Sequence, residues 1–180
     1  MKRVFIGGSR KIGSMNFELA QRLDNIIRKR LGVLVGDANG FDRVAQAYFA
    51  EHAYSNVEVY CTAGECRNNV GAWPLHTVEY AGRDRGLAFY TAKDDAMIQD
   101  ADYGLFAWDC KSKGTLRNIR LMAERGKASA VYVFPWKKFV TIHNSTDALS
   151  LTQDEQVGTV ETHNLFIDNE SENTRKVRLG

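Results

Sequence analysis

Short apolar runs of strand length recur along the chain: RVFIG at 3–7, GVLVG at 32–36, VEVY at 57–60, YGLFAW at 103–108 and AVYVF at 130–134. Four are nearly continuous in apolar residues, as strands covered on both faces of a parallel sheet are. VEVY alternates, which predicts a half-exposed strand at the sheet margin. Helical spacing fills the gaps. Leu19, Leu23, Ile26 and Ile27 share one face, with Ser14 as the expected N-cap. Val44, Ala47 and Tyr48 form a second stripe, and Leu116, Ile119 and Ala123 a third. Thr91 followed by Asp94 reads as a capping box opening a helix there.

Strand–helix alternation of this kind predicts an α/β, Rossmann-like, doubly wound domain with a mainly parallel sheet of about five strands. The expected order is 3-2-1-4-5, with a ligand at the switch between the first and fourth strands. Residues 1–143 would form this domain. The polar stretch 144–180 is a C-terminal extension that could add strands, pack on a partner or be partly disordered. Residues 62–90 make a connection long enough to be a lid or binding loop.

Composition narrows the function. The 180 residues are 44% hydrophobic and 26% charged, ordinary globular values, and the net charge is +2. So small a charge disfavours nucleic acid as a partner. No apolar run is long enough to span a bilayer, so no membrane association is expected. The start, MKRVFIGGSR, lacks the apolar length and cleavage site of a signal peptide and reads as a first strand. Cys61, Cys66 and Cys110 are an odd set, expected to be reduced thiols in a cytoplasmic protein. Only His76 lies near the CTAGEC pair, so neither a metal site nor a cofactor is expected. The cations Arg22, Arg28, Lys29 and Arg30 are expected at a solvated helix end, where they complement the helix dipole.

Three loops at the carboxyl ends of strands could hold phosphate. Gly7 and Gly8 permit close backbone approach, while Ser9 and Arg10 supply hydrogen-bond donors. In the second loop, Gly36 to Asp42, Asp37 could accept from ribose hydroxyls, and Asp42 could equally be a helix-start residue. In the third, Lys111, Ser112 and Lys113 precede Gly114 and Thr115 at a helix start, a ready anion site. Dinucleotide and P-loop fingerprints are absent, and no nucleophile-elbow sequence is present.

Taken together, VFIGGSR, VLVGDANGFDRVAQAYFAEH and ADYGLFAWDCKSKGTLRNI resemble the SLOG superfamily across roughly residues 2–135. That superfamily joins Smf/DprA-like Rossmann domains to phosphoribohydrolases of the lonely-guy type. Gly36, Gly40 and Asp42 are similar to a G-x-A-x-G-x-D loop of the DprA-like branch. Gly114 and Thr115 are similar to the G-T of the phosphoribohydrolase motif, with Asn118 where that motif has glutamate. The resemblance implies a small-molecule nucleotide ligand, related to NAD or ADP-ribose, held in a sensor module, and a homo-oligomer.

The expected ligand contacts are therefore Gly7, Gly8, Ser9, Arg10, Gly36, Asp37, Gly40, Asp109, Lys111, Ser112, Lys113, Gly114, Thr115 and Asn118. Trp73, Tyr80 and Arg83 are candidates to cover the base. The alternative is an N-glycosidase acting on a nucleoside monophosphate, which needs an acid to carry the departing sugar's charge. Asp109 is then the catalytic candidate, ahead of Asp84 and Asp102. A third alternative is a single-strand DNA binder, by analogy with the DprA-like branch.

Overall fold

The computed structural model describes residues 1–82 and 84–153. Their elements alternate as β1 (Arg3–Gly8), α1 (Phe17–Arg28), β2 (Gly32–Gly36), α2 (Phe41–Glu51), β3 (Val57–Thr62), β4 (Leu75–Val78), α3 (Leu87–Asp100) and β5 (Tyr103–Trp108). They continue with α4 (Lys113–Glu124), β6 (Ser129–Val133), a 3-10 turn (Phe134–Trp136), β7 (Lys138–Ile142) and α5 (Ser145–Gln153). One sheet of seven strands results, in the order β4-β3-β2-β1-β5-β6-β7. All neighbours are parallel except β6 and β7.

The α/β, Rossmann-like architecture is thus the one the apolar runs predict. The sheet order differs from 3-2-1-4-5 because two further strands close its margins. The five anticipated strands keep their expected neighbours, but VEVY is not the edge. LHTV of β4 pairs outside it, and β4 itself carries the alternating exposure of a margin strand. On the other side, Lys137 at φ 49° turns the chain back so that β7 pairs antiparallel with β6.

Each face of the sheet has its own core. Val4, Ile6, Val33 and Val35 meet Leu19, Leu23 and Ile26 of α1 and Phe41, Ala45 and Phe49 of α2. Phe5, Leu34, Phe106 and Val131 meet Met97 and Ile98 of α3, Ile119 and Met122 of α4, and Ala148 and Leu151 of α5. Period-two alternation along the central strands feeds both layers. Burying each of these large side chains contributes about 1.5–3 kcal/mol. The first residues of the expected C-terminal extension therefore help build the second core layer, and residues 154–180 lie outside the described residues.

Several local expectations are corrected. α1 is capped by Asn16, whose side chain accepts from the Leu19 N–H at 2.9 Å, and not by Ser14. α2 buries Phe41, Ala45 and Phe49, so the Val44–Ala47–Tyr48 stripe is rotated off the true buried face. α3 begins at Leu87, one turn before Thr91, so Thr91 lies inside the helix and Asp94 pairs with Lys93 and Asn118. Arg22 is not solvated. Phe139 of β7 covers it, with the guanidinium 4.6 Å from the ring centre, and burial lowers its pKa. None of the helices is long and apolar enough to cross a membrane, among the described residues.

Candidate nucleic-acid interface

β1 and β5 lie side by side, and the helices that follow them, α1 and α4, pack on opposite faces of the sheet, so a cleft opens above their carboxyl ends. Its volume is about 420 Å³. Gly7, Gly8 and Arg10 border it from the first loop, and Asp109, Lys111, Ser112, Gly114, Thr115 and Asn118 from the third. Phe5, Lys11, Ala38, Asp42, Leu87, Tyr90, Thr91, Lys93 and Asp94 complete the wall.

Glycine is required where these segments converge. A Cβ on Gly8 would stand 2.7 Å from the Ala107 carbonyl and 2.8 Å from Phe41 Cβ. Gly40, at φ +82°, passes over the Arg10 backbone so closely that a Cβ would fall 2.3 Å from its carbonyl oxygen. The loop that carries Arg10 is therefore seated on the second loop.

Ser9 is a staple between strands and offers nothing to a ligand. It is fully buried, its N–H donates to the Ala107 carbonyl at 2.9 Å, and its hydroxyl donates to Asp109 Oδ1 at 2.8 Å. Asp109 also accepts the N–H groups of Lys111 and Ser112, at 3.0 and 2.8 Å. Burial raises its carboxyl, but these bonds outweigh it and hold the pKa below the ordinary value. Asp109 is thus an ionised loop clamp. It fixes the turn that leads into α4, where Ser112 caps the helix by accepting from the Thr115 N–H at 3.3 Å. The first N–H groups of α4, those of Lys113 and Gly114, have no acceptor within their own helix by its geometry. A Cβ on Gly114 would meet nothing within 4 Å, so the glycine leaves open space there.

Asp37 sits elsewhere. It is 2% exposed, gripped by Arg67 through Nε at 2.9 Å and Nη2 at 2.7 Å, and it faces a smaller neighbouring pocket. Burial would raise its pKa, and the Arg67 bonds bring it below the usual range. Its carboxylate oxygens are engaged by a side chain thirty residues away. Gly36 and Gly40 support the site from beneath: a Cβ on Gly36 would lie 2.5 Å from Asp42 Oδ2 and 2.6 Å from Lys93 Nζ. Lys113 starts α4 outside the cleft lining.

Under the cleft lies a buried charge cluster that the sequence pattern did not reveal. Lys93 Nζ is 2.9 Å from Asp94 Oδ1 and 3.9 Å from Asp37 Oδ1. Burial opposes its charge, yet the carboxylates of Asp94, Asp42 and Asp37 raise its pKa. Asp42 is buried and accepts from the Ala38 N–H at 3.4 Å, and burial pushes its carboxyl up to about 6. Asn118 donates Nδ2 to Asp94 Oδ2 at 2.9 Å.

The aromatic candidates are placed away from the cleft. Trp73 is a core residue whose indole donates to the Tyr54 carbonyl at 2.9 Å, and Tyr80 packs edge-on against Phe89. Arg83 lies outside the described residues. The aromatic on the rim is Tyr90, 38% exposed, with Arg10 and Arg67 at 5.6 and 5.8 Å from its ring centre. Its position in the 62–90 region carried no distinguishing signal. Asp102, a candidate acid, binds Lys2 and the Arg3 N–H at the far end of the sheet, and Asp84 is exposed. Cys61, Cys66 and Cys110 are free thiols, and no group of three metal-ligating side chains occurs among the described residues.

No family profile matches the chain, and no curated protein matches it. Among solved structures, DNA processing protein A from Helicobacter pylori does. The two share 17% identity, the likeness covers 83% of this chain and 71% of that one, and the TM-score is 0.57. In fold, this chain is similar to a DNA-processing protein. That protein's structure is described by its mode of binding single-stranded DNA.

This likeness corrects the functional expectations. The neighbour's described binding of single-stranded DNA runs against a nucleotide-derived small molecule as partner, a sensor role, the N-glycosidase alternative and nucleic acid as a disfavoured partner. Net charge averages over the molecule and does not describe the cleft. The acids beneath the cleft are buried against Lys93 and Arg67, while Arg10, Lys11 and Lys111 stand together on the rim.

Proposed function

We propose that the chain binds single-stranded DNA across this cleft, as a SLOG-related domain of the DprA-like branch. The observation that carries the reading is the rim itself: an exposed Tyr90 ring with the Arg10 guanidinium 5.6 Å away, beside Lys11 and Lys111. Cations that track a backbone, next to an aromatic on which a base can stack, are what sequence-tolerant strand binding requires. Phosphates would bind Arg10, Lys11, Lys111 and the amides at the start of α4, where the helix dipole favours an anion. The resemblance of Gly36, Gly40 and Asp42 to the DprA-like loop supports the same branch, and so does the fold likeness.

Fluorescence anisotropy with an oligothymidylate at two salt concentrations tests the reading. With about three phosphate-neutralising cations, the logarithm of affinity should fall with a slope of about −2 against the logarithm of salt. Between 50 and 200 mM salt that is roughly a 15-fold loss. An absence of binding at 50 mM salt, or an affinity indifferent to salt, overturns the proposal.

A further inference from the structure

The chain turns back on itself where β3 ends, and the turn sets two cysteines face to face. Ala63 and Gly64 are both left-handed, at φ 52° and 75°, the conformation of a two-residue hairpin turn. Glu65 donates its N–H to the Thr62 carbonyl at 3.2 Å, and these two residues form an antiparallel bridge. One step further from the turn, Cys61 stands opposite Cys66. Because Thr62 and Glu65 are the hydrogen-bonded pair, the cysteines are the next, non-hydrogen-bonded one, in which facing Cα atoms lie about 4.5 Å apart. A disulfide spans Cα separations of about 4.4–6.8 Å.

The two side chains also leave the backbone on one side. Cys61 has the parity of Val57 and Val59, which enter the core layer beneath α1 and α2, and Cys66 packs against that same layer. Both rest as free thiols, and burial, with Cys61 close by, pushes the Cys66 thiol up. They differ in access. Cys61 is fully buried, its Sγ 3.8 Å from Thr77 Oγ1, whereas Cys66 is half-buried and donates to the Asn68 carbonyl at 3.3 Å.

We infer that Cys61 and Cys66 are a redox pair, which a small disulfide oxidant such as glutathione disulfide converts reversibly to a disulfide across the hairpin. The Cys66 thiolate attacks one oxidant sulfur, forms a mixed disulfide and expels one glutathione thiolate. Cys61, as its thiolate, attacks the Cys66 sulfur and expels the second. The cysteines lose two electrons and two protons, and one glutathione disulfide becomes two glutathione molecules. The new bond ties the end of β3 to the segment that leads into Arg67, which grips Asp37. This pairing is independent of strand binding.

The experiment equilibrates the native protein in glutathione buffers of graded ratio, then quenches with acid, alkylates, digests with trypsin and weighs the peptides. Cleavage after Arg43 and Arg67 leaves both thiols on one peptide, which when oxidised is lighter by two hydrogens and takes up no alkylating reagent. The folded protein should keep the pair oxidised against about tenfold more reducing buffer than the same chain in urea, because the fold already holds the sulfurs within reach. By linkage, oxidation should raise the melting temperature by about 3–6 °C. Melts use Cys110→Ser, so that only the pair changes state. Cys61→Ala should leave glutathione on Cys66, and Cys66→Ala should leave Cys61 unmodified. Native thiols that stay alkylatable at every ratio, glutathione retained on native Cys66, no advantage of the fold over urea, or a lower melting temperature on oxidation each overturn the inference.

Discussion

Asn118 of α4 donates its side-chain amide to the Asp94 carboxylate of α3 at 2.9 Å, closing the floor of the cleft between two helices. The amide is suited to this position because Asp94 already holds Lys93 through its other oxygen. A carboxylate at 118 would face a carboxylate.

Asn118→Asp is accordingly expected to destabilise the fold by about 1–3 kcal/mol at pH 7, through a lost donor and like-charge repulsion. The deficit should shrink as the pH falls and the pair takes up a proton. Urea denaturation at pH 7 and pH 5 measures both. An equal deficit at the two pH values would refute the electrostatic cause.

Lys93 compensates the carboxylates of Asp94, Asp42 and Asp37 in a buried setting. Lys93→Met keeps the aliphatic stem and removes the charge, leaving buried acids without a counter-ion. Removal of one member of such a cluster costs about 3–5 kcal/mol. Chemical denaturation should show the loss, and Asp42→Asn in the same background should restore part of it.

Asp42 has a definite pH signature. Its carboxyl titrates at about 6 in the fold against an ordinary 3.8. The native state therefore binds the proton more tightly than the unfolded chain does. Its contribution to stability is most favourable below about pH 4 and is lost as the pH rises through about 6. Asp42→Asn should remove this dependence, so the gain of the variant over the native protein should be larger at pH 7 than at pH 4 by about 2 kcal/mol. Thermal melts across that interval would expose a constant difference if the assignment were wrong.

Tyr90 and the rim cations should separate in their salt behaviour. Tyr90→Ala removes a stacking surface and should weaken strand binding by about 1–3 kcal/mol with the salt slope retained. Lys111→Ala should instead reduce the slope by about 0.7, the share of one phosphate contact on a single strand. Anisotropy titrations at several salt concentrations discriminate the two, and a changed slope in Tyr90→Ala would speak against stacking.

The architecture and the loops above β1 and β5 were readable in the amino-acid order because both are set locally. A parallel strand announces itself as a short apolar run, and a glycine pair or a polar run leading to Gly-Thr at a helix start is contained within a few residues. The sites of Gly7, Gly8, Arg10, Lys111, Gly114, Thr115 and Asn118 around one cleft follow from those runs once the sheet order is known. The margin strands were harder to read. LHTV is four residues long with little apolar content, and KFVTI follows a 3-10 turn that cuts short the run before it.

Tertiary structure alone decided which side chains are free. Asp37 resembles a ribose acceptor until Arg67 reaches it from the far side of β3. Ser9 resembles a phosphate ligand until Asp109, a hundred residues on, claims its hydroxyl. Trp73 belongs to the core, and Tyr90, one aromatic among several in its segment, stands on the rim. Burial and pairing are properties of distant segments brought together, so the chain order alone specifies where chemistry can occur, and only packing determines which groups remain available for it.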